Sequence, residues 1–146
     1  MKRTPALQPL SRDHHQALFV AQKLRRASAG TVSEAQDAFL AFWQSHGRHH
    51  FRCEEEILLP AYARYGDPRH PLVLRVLADH VVVRRAANQL EGSEPPLEAL
   101  RELGVQLADH VRLEERELFP LIEDALPAAE LEKVAAALAE AESASG

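Results

Sequence analysis

Apolar residues recur at three- and four-residue spacing in four long runs, the period of helices that bury one face. The first run holds Leu10, His14, Ala17, Leu18, Ala21 and Leu24. It follows Pro9, has Ser11 placed to cap it, and ends at Ser28-Ala29-Gly30. The second, with Ser33 as its expected cap, carries Phe39, Phe42, Trp43, His46, His50, Cys53, Glu54 and Ile57, and stops at Gly66-Asp67-Pro68. Val73, Val76, Leu77, His80, Val83, Ala87 and Leu90 form the third. Gly92-Ser93 and Pro95-Pro96 part it from the fourth, in which Leu100, Leu103, Leu107, His110, Glu114, Leu118 and Leu121 face inward. After Pro127, an Ala/Glu-rich stretch from 128 to about 142 predicts one more short helix. No strand pattern occurs. Long helices with short breaks between them predict antiparallel neighbours, hence an all-α, up-down-up-down four-helix bundle with a short C-terminal extra helix. The chain reads as one domain over residues 1–146, with the bundle core at about 10–125 and a helical tail at 128–142. Pro60 and Pro120 interrupt otherwise continuous patterns and predict a kink or an early end.

The apolar stripes contain polar residues, and these repeat. His50-Phe51-Arg52-Cys53-Glu54-Glu55-Glu56-Ile57-Leu58-Leu59-Pro60 returns as His110-Val111-Arg112-Leu113-Glu114-Glu115-Arg116-Glu117-Leu118-Phe119-Pro120. Both read H-x-R-x-E-E-x-x-L-x-P. Helical positions i and i+4 lie nearly above one another, so each copy sets an imidazole and a carboxylate on one face. His14 and His80 occupy the stripes of the other two helices. Counted from the turns, His14 lies 17 residues before Thr31 and His50 lies 19 after it. Glu54 and His80 each lie 13 from Asp67; from Ser93, His80 lies 13 back and His110 17 forward. At about 1.5 Å per residue, these mismatches amount to roughly one helical turn at most. Four imidazoles and two carboxylates therefore converge at one level.

A lone core histidine is ordinarily just hydrogen-bonded. Two buried carboxylates are another matter, since an unpaired buried charge costs several kcal/mol. Arg84 could pair with one of them, not with both. The predicted metal ligands are His14, His50, Glu54, His80, His110 and Glu114. Nitrogen and oxygen donors without thiolates disfavour a structural zinc site and suit iron or manganese. Two carboxylates can bridge two ions, and six protein ligands leave positions open for small molecules.

Four motifs here resemble those of the hemerythrin-like (HHE cation-binding) family. They are Leu10-Ser11-Arg12-Asp13-His14, His50-Phe51-x-x-Glu54-Glu55, Asp79-His80 and His110-x-x-x-Glu114-Glu115. The resemblance spans roughly Leu10 to Asp124. It implies a non-haem di-iron centre with His50 and His110 as terminal ligands, Glu54 and Glu114 as bridges, and His14 and His80 completing the set. Mn or a mixed Fe/Mn pair also fits these donors. There is one departure. The oxygen-carrying members have His-x-x-x-His on the third helix and an aspartate in the fourth motif, whereas here Val76 and Arg84 flank His80 and the acid is Glu114. A water, Glu55, His46, His49 or Glu115 are the candidates for the missing imidazole's place.

Composition narrows the partners. A net charge of −5 disfavours nucleic acid and anionic membrane, both of which reward basic surfaces. No run of about eighteen apolar residues occurs, and the Pro- and charge-interrupted N-terminus is no secretory signal. Cys53 is the single cysteine, which admits a reducing compartment and gives cytoplasmic as the expected location. Among secondary candidates, His46 lies one turn from His50 on the same face. His15, His49 and Glu55 are rotated off the stripes, His49 and Glu55 being read as exposed, and Cys53 is read as a core residue. An apolar lining from Phe42, Trp43, Ile57, Leu107 and Leu118 would suit a small ligand such as O2, NO or peroxide. Ligand binding is the expectation. The alternatives are a di-iron redox enzyme (peroxide or NO reduction, iron delivery for cluster repair) and iron buffering. Oligomeric state is left open.

Overall fold

The computed structural model describes residues 2–145, and among them there is helix and no strand. Helix α1 is Gln8–Arg25. Helix α2 runs through residues 32–63 as one continuous rod in which α-helical stretches alternate with two wider turns, Trp43–Gly47 and Glu54–Leu58. Helix α3 is Pro71–Gly92. Helix α4 covers 97–125 with a wider turn at Glu114–Leu118, and α5 is Ala128–Ser145. Contacts link α1 to α2 and α4, and α3 to α2 and α4, closing a four-membered bundle. None of these helices is long and apolar enough to cross a membrane.

Two apolar clusters fill the bundle, one on each side of a polar layer. The first joins residues such as Ala17, Phe39, Trp43, Val83, Leu107 and Val111. The second joins Leu10, Cys53, Leu58, Val76, Leu118 and Phe119, and is closed by Val134 and Leu138 of α5. Each stripe passes from one cluster to the other through its histidine: Leu10–His14–Ala17 on α1, Val76–His80–Val83 on α3. The polar residues are thus walled off from water above and below. Helices α1 and α4 approach so closely that a Cβ on Gly104 would sit 2.7 Å from the Ala21 carbonyl oxygen.

Several local expectations need correction. Ser11 does not cap α1, which begins three residues earlier; its hydroxyl reaches α4 instead. Ser33 lies inside α2, whose cap position is Thr31. Leu77 is on the outer face of α3, 38 % exposed, because it falls a step beyond the Val73–Val76–His80 row. Pro60 and Pro120 do not end their helices. Each follows a π-helical turn in which the preceding residue donates to the carbonyl five back, Leu59 to Glu54 and Phe119 to Glu114. The slipped ladder admits a residue without an N–H, and the helix continues. Such π turns are often found at functional sites, and both begin at a predicted ligand.

Candidate metal centre

The six predicted side chains meet between the two apolar clusters, and each is at least nine-tenths buried. Their atoms fall into two groups of four: His14, His50, Glu54 and Glu114, and Glu54, His80, His110 and Glu114. Within each group, the ligand atoms all lie within 4.8 Å of one another. Both carboxylates belong to both groups. The i, i+4 pairs close as helical spacing requires, His50 Nε2 to Glu54 at 3.1 Å and His110 Nε2 to Glu114 at 3.3 Å. Across the bundle, His80 Nε2 is 3.0 Å from Glu54, and His14 Nε2 is 2.8 Å from Glu114.

Most of these inner atoms are near one another without being hydrogen-bonded. Nε2 of His50, His80 and His110, both oxygens of Glu54 and one of Glu114 are buried and lack a hydrogen-bond partner. Buried polar atoms are rarely left so. Only His14 Nε2 forms a hydrogen bond inward, to Glu114; nitrogens and carboxylate oxygens otherwise gathered this closely without hydrogen bonds are what a cation's ligands look like. The donor set of imidazole nitrogens and carboxylate oxygens fits a metal of the iron or manganese kind.

The outer nitrogen of every imidazole is also engaged, each time by a carboxylate from the neighbouring helix. His50 Nδ1 donates to Asp13 at 2.9 Å, His80 to Glu55 at 2.7 Å, His110 to Asp79 at 2.9 Å and His14 to Glu115 at 2.6 Å. These links run α1 to α2, α2 to α3, α3 to α4 and α4 back to α1. An ionised carboxylate can only accept, so Nδ1 carries the proton and Nε2 faces inward in all four rings. Aromatic rings fix the same imidazoles from the side. Phe51 stacks on His80 with centroids 3.8 Å apart, and Phe119 lies parallel to His14 at 5.4 Å.

This ring of carboxylates was the part the sequence reading did not see. Glu55 and Glu115, rotated off the stripes, are neither inner ligands nor free: Glu55 is half-buried between His80 and Arg84. The Arg84 guanidinium therefore pairs with Glu55 and with neither inner glutamate. A partial signal was available in the second glutamate of each E-E pair and the aspartates of Asp13-His14 and Asp79-His80, although Asp109-His110 has the same dipeptide with an exposed aspartate outside the ring. His46 is exposed and bonds to Ser45, so it plays no part in the centre. His49 faces Cys53 Sγ at 3.4 Å, outside the centre, and His15 is on the surface. Cys53 packs in the core as read. None of Glu55, Glu115, His46 or His49 takes an inner position in place of an imidazole.

Charge balance without metal rests on protons. Burial alone would lower the His110 imidazole; the Glu114 charge and the bond to Asp79 overcome it and hold the pKa up at about 10. His80, opposed by burial in the same way, is raised to about 9 by Glu114 and Glu54. Burial opposes ionisation of Glu114, yet His110 and the other imidazoles keep its carboxyl well below the usual range. Glu115 falls to about 2 against its partial burial, through the bonds from His14 and Ser11. A bound cation would replace those protons.

Comparison with known proteins agrees with this geometry. None of the curated proteins and none of the solved structures gives a match. A family model does, the hemerythrin HHE cation binding domain, over residues 7–122, a span that takes in all six inner residues and the whole carboxylate ring. This chain belongs to the hemerythrin HHE cation binding domain family.

Proposed function

We propose that this chain is a non-haem di-iron protein that coordinates a small ligand such as O2 or NO between its helices. The observation that carries the reading is the pair of four-atom ligand groups sharing Glu54 and Glu114. A single ion would need only one group. In this reading His14 and His50 would hold one ion and His80 and His110 the other, with Glu54 and Glu114 shared between them. Mn or a mixed Fe/Mn pair fits the same donors. Bound iron would supply redox activity and open coordination positions. The chain's residues do the rest: the four outer carboxylates keep protons at Nδ1, and Trp43, Phe51, Leu107, Leu118 and Phe119 exclude water from the polar layer. We take the helices to alternate up and down, since only short connections join them, and the tail at 128–142 to be part of the single domain. A lone thiol, Cys53, suits a cytoplasmic setting.

Anaerobic loading with Fe(II), a metal count per chain, and absorption spectra on admitting and then removing O2 test this. Two irons and a spectrum that returns on degassing are expected. Two irons that oxidise once and do not return would replace ligand binding with redox enzymology or iron handling. One iron or none would overturn the dinuclear reading.

A further inference from the structure

The two ligand groups are closed by the same device, built from different parts of the chain. Around His80, Glu55 accepts the Nδ1–H hydrogen bond at 2.7 Å and is itself gripped by Arg84, whose Nη2 lies 3.0 Å from both carboxylate oxygens. The Arg84 guanidinium also lies 5.9 Å over Phe51, the ring stacked on His80. Around His14, Glu115 accepts the Nδ1–H hydrogen bond at 2.6 Å, and Phe119 is the ring alongside. The position corresponding to Arg84, four residues past the histidine, is Leu18. No arginine is available there.

Arg3 fills the role instead. Its Nη2 donates to the Glu115 carbonyl at 2.7 Å and approaches the Glu115 carboxylate at 3.3 Å. Its guanidinium lies 5.3 Å over Phe119. Nη1 donates to Glu123 at 2.6 Å, and the Thr4 N–H donates to the other oxygen of Glu123 at 2.7 Å. Ser11 adds a hydroxyl to Glu115 at 2.7 Å. Arginine, glutamate, histidine and a parallel aromatic ring thus recur on both sides. One arginine sits in the middle of α3. The other sits on the non-helical segment before α1, outside the matched residues 7–122.

We propose that Arg3 is a positioning residue for the His14/His50 ligand group, matching from outside the matched family span what Arg84 does for the His80/His110 group. The inference rests on the dinuclear reading above. Arg3 acts from a non-helical segment tied to α4 through Glu115 and Glu123, whereas Arg84 acts from the middle of α3. Without the Arg3 guanidinium, Glu115 keeps the Ser11 hydroxyl but loses the cation that orients it, so the acceptor for the His14 ring is less firmly held. Residues that orient a metal-binding histidine from outside typically change metal affinity 10–100-fold. Arg3 acts one step further out, so the lower end applies.

The test is the rate at which a chelator strips Fe(II), anaerobically, from the loaded full-length chain. Two release phases are expected from the wild-type protein, and the phase that H14A removes is assigned to the His14/His50 group. R3A speeds that phase about tenfold and leaves the other unchanged, R3K recovers part of the loss, and R84A speeds the other phase alone. A merely structural role for Arg3 would show instead as both phases quickening together, and that result overturns the inference, as does an R3A variant with wild-type kinetics. A wild-type metal count below two, read before any chelator is added, defeats the dinuclear reading itself and the inference with it.

Discussion

Glu114→Gln separates an inner ligand from the outer ring. Glu114 is fully buried, and all four imidazoles approach it, His14 at 2.8 Å, His110 at 3.3 Å, His50 at 3.8 Å and His80 at 3.9 Å. Glutamine keeps the shape and removes the charge. A structural four-ligand metal site has an apparent binding free energy of about 10–16 kcal/mol, hence roughly 3–4 kcal/mol per ligand. Losing one ligand should therefore weaken binding by two to three powers of ten, and because Glu114 belongs to both groups, both ions should be affected. Glu55→Gln removes an outer acceptor only and should cost about 10–100-fold, confined to the His80 group. Metal affinity is measured by Fe(II) competition with a chromophoric chelator. Far-UV circular dichroism of each metal-free variant checks folding, since stripping a buried charge from its partners can itself cost about 3–5 kcal/mol. Equal losses from folded E114Q and E55Q, or two tightly held ions surviving E114Q, would refute the assignment of inner and outer shells.

Other consequences follow from the same geometry. In the metal-free chain the raised His80 and His110 pKa values, about 9 and about 10, stabilise the fold fully below the unfolded value of 6.5. That contribution falls as pH rises through 9 to 10, so urea midpoints should drop between pH 7 and pH 10; a rise would contradict it. Gly104→Ala forces a methyl against the Ala21 carbonyl oxygen at 2.7 Å and the Leu24 Cβ at 2.8 Å, and should cost about 1–3 kcal/mol in denaturant titration. Phe51→Ala removes the ring stacked on His80 and should destabilise by about 3–5 kcal/mol while loosening that imidazole, seen as broadened His80 ring resonances by NMR. Saturating iron should raise the melting temperature of the wild-type chain, and E114Q should abolish most of that rise.

Much of this centre was legible in the chain. Three- and four-residue spacing alone decides which residues share a helix face, so the four inward histidines and the two inward glutamates follow from counting, and turn positions bring them to one level. The repeat of H-x-R-x-E-E made the pairing of His50 with Glu54 and His110 with Glu114 a matter of local geometry. Helix ends were less secure, because Ser11 and Ser33 could serve as caps or as interior residues, and neighbouring contacts decided between these uses.

What the helices touch at their edges only the tertiary structure could decide. Asp13, Glu55, Asp79 and Glu115 lie about 100° from the ligand beside each in sequence. At that angle a side chain meets solvent or the adjacent helix according to how the two rods are rotated and spaced. Periodicity carries no information about that rotation. The partners of these carboxylates lie 25 to 101 residues away in the chain, and Arg3 reaches Glu115 across 112. Such contacts exist only after packing. Sequence specified which imidazoles and carboxylates face inward, and the fold supplied the neighbours that orient them.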